Sequence, residues 1–123
     1  MPLSLRDEGD LPDGAMVVRG GMMLARDLAM AAARCEAQLG YPGISVFAST
    51  EVGLRELVLA APALRLYTVV RRATAGALRQ LGCSLVPTGA APHYTLRLPG
   101  SDYPLLARLR QAFGPPIPNP AHR

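Results

Sequence analysis

Arginine dominates the side chains of this 123-residue chain that could carry chemistry. All thirteen basic side chains are arginine and lysine is absent. Schiff-base formation, a lysine general base and a phosphate-binding loop ending in Gly-Lys-Ser/Thr all need an amine side chain, so the sequence excludes them. The guanidinium group remains, an always-charged, fork-shaped donor suited to carboxylates, phosphates and protein surfaces. The sequence therefore predicts binding rather than catalysis.

The positive charge is concentrated in the body of the chain. The whole chain carries +4, but from Gly14 onward twelve arginines stand against five acids, which gives +7. The first thirteen residues hold four acids against Arg6, and no acid lies between Leu57 and Ser101. We expect an acidic partner for this basic body.

His93 is the histidine that could do acid–base work. Small ribonucleases use a histidine to move the proton of a 2′-hydroxyl and arginines to stabilise the phosphorane. Arg97, four residues on, and Arg72 are the arginines that could serve beside it. An RNase-like or RNA-binding toxin built on His93, Arg97 and Arg72 is therefore one hypothesis for this chain.

The segment Arg19-Gly20-Gly21 is a second candidate site. It follows a predicted strand and precedes a predicted helix, and free amides at a helix start can hold an anion. No third glycine follows, so the dinucleotide-binding fingerprint is missing. The segment predicts either a small-anion site at Arg19 or a tight turn that needs glycine for its backbone.

The segment from Gln80 to Leu85 forms a third candidate site. Its sequence, Gln-Leu-Gly-Cys-Ser-Leu, is similar to the loose six-residue peptides that bind bacterial sliding clamps. In such a peptide the glutamine amide bonds the rim of a pocket that the leucines fill. The end of a helix and the start of a strand explain the same six residues. The residues of this predicted partner-binding surface are Gln80, Leu81, Leu85, Arg71, Arg72 and Arg79.

With this peptide, its small size and its arginine- and alanine-rich composition, the chain resembles the SocB-type toxins. The resemblance implies a non-enzymatic toxin of a toxin–antitoxin pair. Its partners would be the replication sliding clamp, which it occupies, and a Panacea-domain antitoxin, which delivers it to a protease. We expect a protein partner of this kind, and nucleic acid stays open as an alternative for the same arginines.

The elements that must position these residues alternate along the chain. Apolar spacing predicts the order β-α-β-α-β-α-β-β-α, with strands at 15–19, 44–48, 66–70, 83–86 and 94–98. This order predicts a single α/β domain over 15–114, with a mainly parallel sheet of about five short strands, about four helices and a C-terminal antiparallel strand pair. Residues 1–14 are interpreted as an acidic flexible arm and 115–123 as a Pro-rich tail.

Cysteine usage and the start of the chain indicate the compartment. Cys35 and Cys83 are too few and too far apart for a zinc pattern, and the chain begins in charged residues without an apolar leader. No apolar run is long enough to span a bilayer. These features predict a cytoplasmic protein with free thiols, no membrane association and no metal or other cofactor.

Overall fold

A computed structural model describes residues 11–49 and 53–122, so residues 1–10 of the expected arm lie outside the described residues. The chain forms six strands, four α-helices and one 3-10 helix in these ranges. They are β1 (Met16–Gly20), α1 (Ala25–Leu39), β2 (Gly43–Ser49), α2 (Leu54–Leu59), the 3-10 helix (Pro62–Leu66), β3 (Val69–Thr74), α3 (Ala75–Gln80), β4 (Ser84–Pro87), β5 (His93–Arg97), α4 (Tyr103–Ala112) and β6 (Ile117–Pro118).

All six strands belong to one sheet, in the order β4-β5-β2-β1-β3-β6. Every neighbouring pair in this sheet is antiparallel. The fold is α/β, but the predicted mainly parallel sheet is wrong.

The connection through α1 explains the error. Because β1 and β2 are antiparallel neighbours, the end of β1 at Gly20 and the start of β2 at Gly43 lie side by side, at the same ends of the two strands. Helix α1 therefore returns the chain to the same end of the strands that it left, whereas a parallel crossover would carry it to the opposite end. An alternation of strands and helices in sequence is compatible with both paths.

Helices cover both faces of the sheet. Helices α1, α3 and α4 pack on one face, where Val17, Ile44 and Leu96 belong to the larger apolar cluster. On the other face α2 and the 3-10 helix form a smaller cluster with strand residues such as Val18 and Val70. Two consecutive buried valines, as in β1, are typical of parallel strands, which are buried on both faces. Here the same pattern arises in an antiparallel sheet, because helices cover both of its faces.

The last residues of the chain take part in the fold. Ile117 and Pro118 of β6 pair with the start of β3. Asn119 is buried, and its Nδ2 donates to the carbonyl oxygens of Leu64 at 2.7 Å and Tyr67 at 2.8 Å. Its Oδ1 accepts from the amide of Ala121. The segment interpreted from sequence as a tail thus holds the end of the 3-10 helix in place.

Candidate functional site

The site forms where β1 and β2 stop pairing. Their register runs from Met16 opposite Ser49 to Val18 opposite Phe47 and ends there. Beyond that point Arg19 reaches β2 with its side chain, and its Nη1 donates to the carbonyl oxygen of Ser45 at 2.8 Å. The guanidinium group of Arg19 thus contacts β2 at a point where the backbones of β1 and β2 no longer pair.

Arg19 is incompletely hydrogen-bonded. Its Nε is buried and has no hydrogen-bond partner among the described residues. Burial lowers the pKa of Arg19 from its ordinary value, an effect that Tyr67 and Asp27 partly oppose. An unpaired buried donor on a charged group costs about 1–3 kcal/mol or more, so such groups need an explanation.

A cleft of about 420 Å³ lies beside Arg19, within the size range of small-molecule sites. Strands β1, β2 and β5, helix α1 and the loops before β3 and β5 all contribute to it. None of the described residues that line it is acidic. They are Arg19, Ala31, Arg34, Cys35, Gln38, Leu39, Gly43, Ile44, Ser45, Tyr67, Thr88, His93 and Thr95.

A smaller cavity of about 170 Å³ shares four of these lining residues, Arg19, Ser45, Tyr67 and His93. The remaining lining is mostly apolar. It consists of Gly20, Phe47, Ala63 and Leu64. Arg19 therefore borders both a larger cavity with a mixed polar and apolar lining and a smaller one lined by aromatic rings.

The ring of Tyr67 explains the first of the two glycines after Arg19. A Cβ at Gly20 would lie 2.7 Å from Cγ and Cε2 of Tyr67, so only glycine lets this ring pack against β1. Gly21 has a φ of +88°, and its amide donates to the carbonyl of Val69 at 2.9 Å. Helix α1 begins only at Ala25, so the segment 21–24 separates its first amides from Arg19.

His93 lines both cavities from β5. Its Nδ1 lies 2.9 Å from the carbonyl oxygen of Thr88 and 3.0 Å from the Thr88 hydroxyl. Because a carbonyl oxygen only accepts, Nδ1 carries the proton in that contact. The ring also packs edge-on against Phe47, with centroids 5.3 Å apart. These contacts fix the position and orientation of the imidazole.

The two arginines predicted to act with His93 lie elsewhere. Arg97 is exposed, and its guanidinium carbon sits 4.8 Å from the ring centroid of Tyr41. Arg72 is exposed on β3 and lines a separate cavity with Met16 and Thr74. Neither residue lines the cavities that His93 borders, whereas Arg19 lines both.

The clamp-like peptide spans the end of α3 and the start of β4. Gln80 is exposed and Leu81 is half-buried against the larger core cluster. Leu85 has 0% exposure inside β4, and Cys83 is also buried. A partner pocket could take Leu85 only if β4 left the edge of the sheet.

The three arginines of the predicted partner surface have different environments. Arg79 is half-buried, and its Nη1 lies 2.9 Å from Oδ1 of Asp13. Arg72 is exposed. Arg71 is 6% exposed and donates to three carbonyl oxygens, those of Gly114, Met22 and Arg110. Of the three, Arg71 is held inside the fold.

Several lining residues were missed from sequence as parts of a site. Alternation along the predicted strand 94–98, with Tyr94, Leu96 and Leu98 inward, predicts that Thr95 faces water, but it is 5% exposed and its hydroxyl lies 2.8 Å from that of Thr88. In sequence, Tyr67 stands out only as an aromatic residue near Arg71 and Arg72 that could stack on bases. Arg34, Gln38 and Ser45 belong to no sequence motif that marks them as parts of a site. The sequence feature that pointed to the cleft was Arg19, an arginine at the end of a predicted strand and before two glycines.

Comparison with protein-family models, curated proteins and solved structures returned no match for this chain. The described helices include none with the length and apolar character needed to cross a membrane. Within the same residues, no group of three or more His, Cys, Asp or Glu side chains is arranged to hold a metal ion. Cys35 and Cys83 are free thiols, and burial raises the pKa of Cys83 to about 11.

Proposed function

We propose that this chain binds a small anion bearing a phosphate or carboxylate group in the cleft beside Arg19. The observation that carries the proposal is the buried Nε of Arg19, which lacks a protein hydrogen-bond partner beside a cavity of about 420 Å³. An anion that enters the cleft would bring an acceptor to the guanidinium of Arg19, whose Nε has almost no accessible surface in the unliganded chain, and would offset its desolvation.

The charges around the cleft favour an anion over a neutral ligand. Arg34 on α1 supplies a second guanidinium, and the described lining residues include no carboxylate to compete for either arginine. The side chains of Gln38, Ser45 and Thr88 add neutral hydrogen-bonding groups. Such a mixture of two cations and several neutral donors suits a group with several acceptor oxygens.

The test is thermal and chemical denaturation in the presence of inorganic phosphate, pyrophosphate and citrate at constant ionic strength. The wild type should gain stability saturably, by about 2.7 kcal/mol once the ligand reaches 100 times its Kd. Arg19→Met should remove most of this gain. Arg108→Met, a change of an exposed arginine on α4 that lines neither cavity, should retain it. Equal stabilisation of all three proteins would contradict the proposal.

The RNase-like alternative stays a prediction. What favours it is that His93 and Arg19 border the same two cavities. If His93 moves a proton in RNA cleavage, His93→Ala should abolish cleavage of total RNA by the purified protein, and Arg97→Ala should leave it unchanged.

The interaction hypothesis, with a sliding clamp or an antitoxin as partner, also stays a prediction. Of the residues that the clamp-like peptide would use as anchors, Gln80 is exposed and Leu81 is half-buried, whereas Leu85 is buried. If the folded chain binds a clamp through Gln80 and Leu81, Gln80→Ala with Leu81→Ala should abolish capture of the purified clamp. Retained capture by this variant would remove the peptide from consideration.

A further inference from the structure

We propose that the anion is a nucleoside monophosphate or a terminal nucleotide of the same chemistry, with its phosphate in the larger cavity and its base in the smaller one. This inference rests on the anion-binding function proposed above. It assigns a second recognition element, a flat aromatic ring, to the cavity lined by Phe47, Tyr67 and His93.

The smaller cavity has the lining that a planar ring needs. Phe47, Tyr67 and His93 bring three aromatic rings to a volume of about 170 Å³, and Ala63 and Leu64 add aliphatic contacts. Aromatic side chains bind bases by stacking, because every base has a π face. A polar ligand without a ring would leave this apolar surface uncovered.

The larger cavity has the size and charge for the rest of a nucleotide. Its volume of about 420 Å³ exceeds what an isolated phosphate group fills, and its hydroxyl and amide side chains can bond a sugar. Arg19 and Arg34 together carry two positive charges, which match the dianion of a phosphate monoester. Since Arg19 lines both cavities, one ligand can contact it while occupying the two.

The backbone of Tyr67 is anchored, and its ring packs against β1, before any ligand binds. Its ring packs on the backbone of Gly20 and Gly21, and its carbonyl oxygen accepts from Nδ2 of Asn119 at 2.8 Å. Its amide donates to the carbonyl of Leu64 at 3.1 Å. With 43% of its surface exposed, the residue still offers area to a ligand. A preformed aromatic surface lowers the entropy lost on binding.

The experiment is calorimetric titration of the whole chain with four probes: inorganic phosphate, ribose 5-phosphate, nucleosides and nucleoside 5′-monophosphates. At least one monophosphate should bind about five- to 150-fold more tightly than ribose 5-phosphate, the range expected for stacking of one base. Tyr67→Leu should remove this advantage, and Tyr67→Phe should keep it. Tyr103→Leu is the matched control, because Tyr103 is 69% exposed on α4 and lines neither cavity.

The outcomes separate the two proposals. If none of the anions binds, the proposed function fails and the inference fails with it. If phosphate, ribose 5-phosphate and every monophosphate bind equally, anion binding stands and only the assignment of a base to the smaller cavity is overturned. Should Tyr67→Leu fold poorly, Phe47→Leu supplies the same test from the opposite wall. A 5′-phosphorylated oligonucleotide that binds more tightly than any monophosphate would identify nucleic-acid ends as the source.

Discussion

Arg19 on β1 and Arg71 on β3 lie opposite each other in the antiparallel register, yet their surroundings differ. Burial lowers the pKa of both guanidinium groups. Arg71 uses Nε, Nη1 and Nη2 to donate to three carbonyl oxygens, at 2.7, 3.0 and 3.1 Å. Arg19 donates to one carbonyl and keeps a buried Nε without a partner among the described residues.

The difference shows how one residue type serves two purposes in the same sheet. Arg71 joins β3 to the end of α4 and to the loop after β1, so carbonyl dipoles of the backbone stabilise its charge and it braces the fold. Arg19 stands where β1 and β2 stop pairing, and β2 supplies it with one acceptor, the carbonyl oxygen of Ser45. An arginine whose donors are all paired braces the fold, whereas a buried donor without a partner, such as Nε of Arg19, calls for an explanation, and we propose a ligand as that explanation.

The largest expected effect is that of Arg71→Met on folding. The substitution removes three hydrogen bonds and leaves the carbonyl oxygens of Gly114 and Arg110 without this donor, while that of Met22 still accepts from Nε of Arg110, so the free energy of unfolding should fall by about 3 kcal/mol. Urea denaturation followed by circular dichroism measures this loss. Arg72→Met, a change of the exposed neighbour on the same strand, should alter it by no more than about 0.5 kcal/mol. Similar losses in both variants would show that Arg71 is not the brace described here.

The next largest effect concerns Asn119, which braces the wall of the Arg19 cleft. Asn119→Ala removes two bonds from Nδ2 and one to Oδ1, so we expect a loss of about 2 kcal/mol in urea denaturation. Asn119→Asp should be nearly as damaging, because a carboxylate cannot donate to the carbonyls of Leu64 and Tyr67. A loss below about 0.5 kcal/mol would mean that the C-terminal segment does not support the cleft.

A smaller effect is expected from Gly20→Ala. The added methyl would collide with the ring of Tyr67, which is exposed enough to move aside, so folding should survive. We expect nucleotide affinity to fall about tenfold, which corresponds to about 1.4 kcal/mol in calorimetry. Gly100→Ala is a suitable control, since a Cβ there meets nothing within 4 Å. Unchanged affinity would show that the position of Tyr67 does not matter for binding.

The smallest expected effect on stability is that of Arg19→Met. The change removes one bond to Ser45 but also removes a partly desolvated charge, so the free energy of unfolding should change by less than about 1 kcal/mol in either direction. Urea denaturation of this variant beside Arg71→Met measures the contrast directly. A loss as large as that of Arg71→Met would make Arg19 a second brace and would remove the distinction between the two regions.

The sequence predicted the local elements around both arginines better than their arrangement. By residue type either Ser101 or Asp102 can cap the last helix, and in the structure it is Asp102, whose Oδ1 accepts from the amide of Leu105 at 2.9 Å. Strand β3 was predicted at 66–70 but runs from Val69 to Thr74, because the 3-10 helix takes the residues before it. Arg71 and Arg72 were accordingly placed outside the strand. A strand that includes a buried charged residue such as Arg71 can be predicted only when its hydrogen-bond acceptors, which are distant in sequence, are known.

The cleft was only partly foreseeable. Arg19 before two glycines was recognised, but the reason for Gly20 is a tyrosine 47 positions later in the chain, and spacing carries no information on that contact. The buried position of Thr95 departs from its expected exposure because its hydroxyl bonds Thr88 in the cleft wall. The antiparallel direction of the strands could not be predicted from sequence either, since it depends on the end of the strands to which α1 returns the chain.

The most direct measurement is a phosphate titration followed through the side-chain Nε–H signals of arginine in ¹H–¹⁵N spectra. Arg19→Met and Arg71→Lys identify the two signals by their loss. The contrast between the two arginines predicts that the Arg19 signal moves saturably with phosphate, as its unpaired donor gains an acceptor, while the Arg71 signal stays in place. An Arg19 signal that does not respond, or equal movement of both signals, would contradict the assignment of Arg19 as the anion-binding residue.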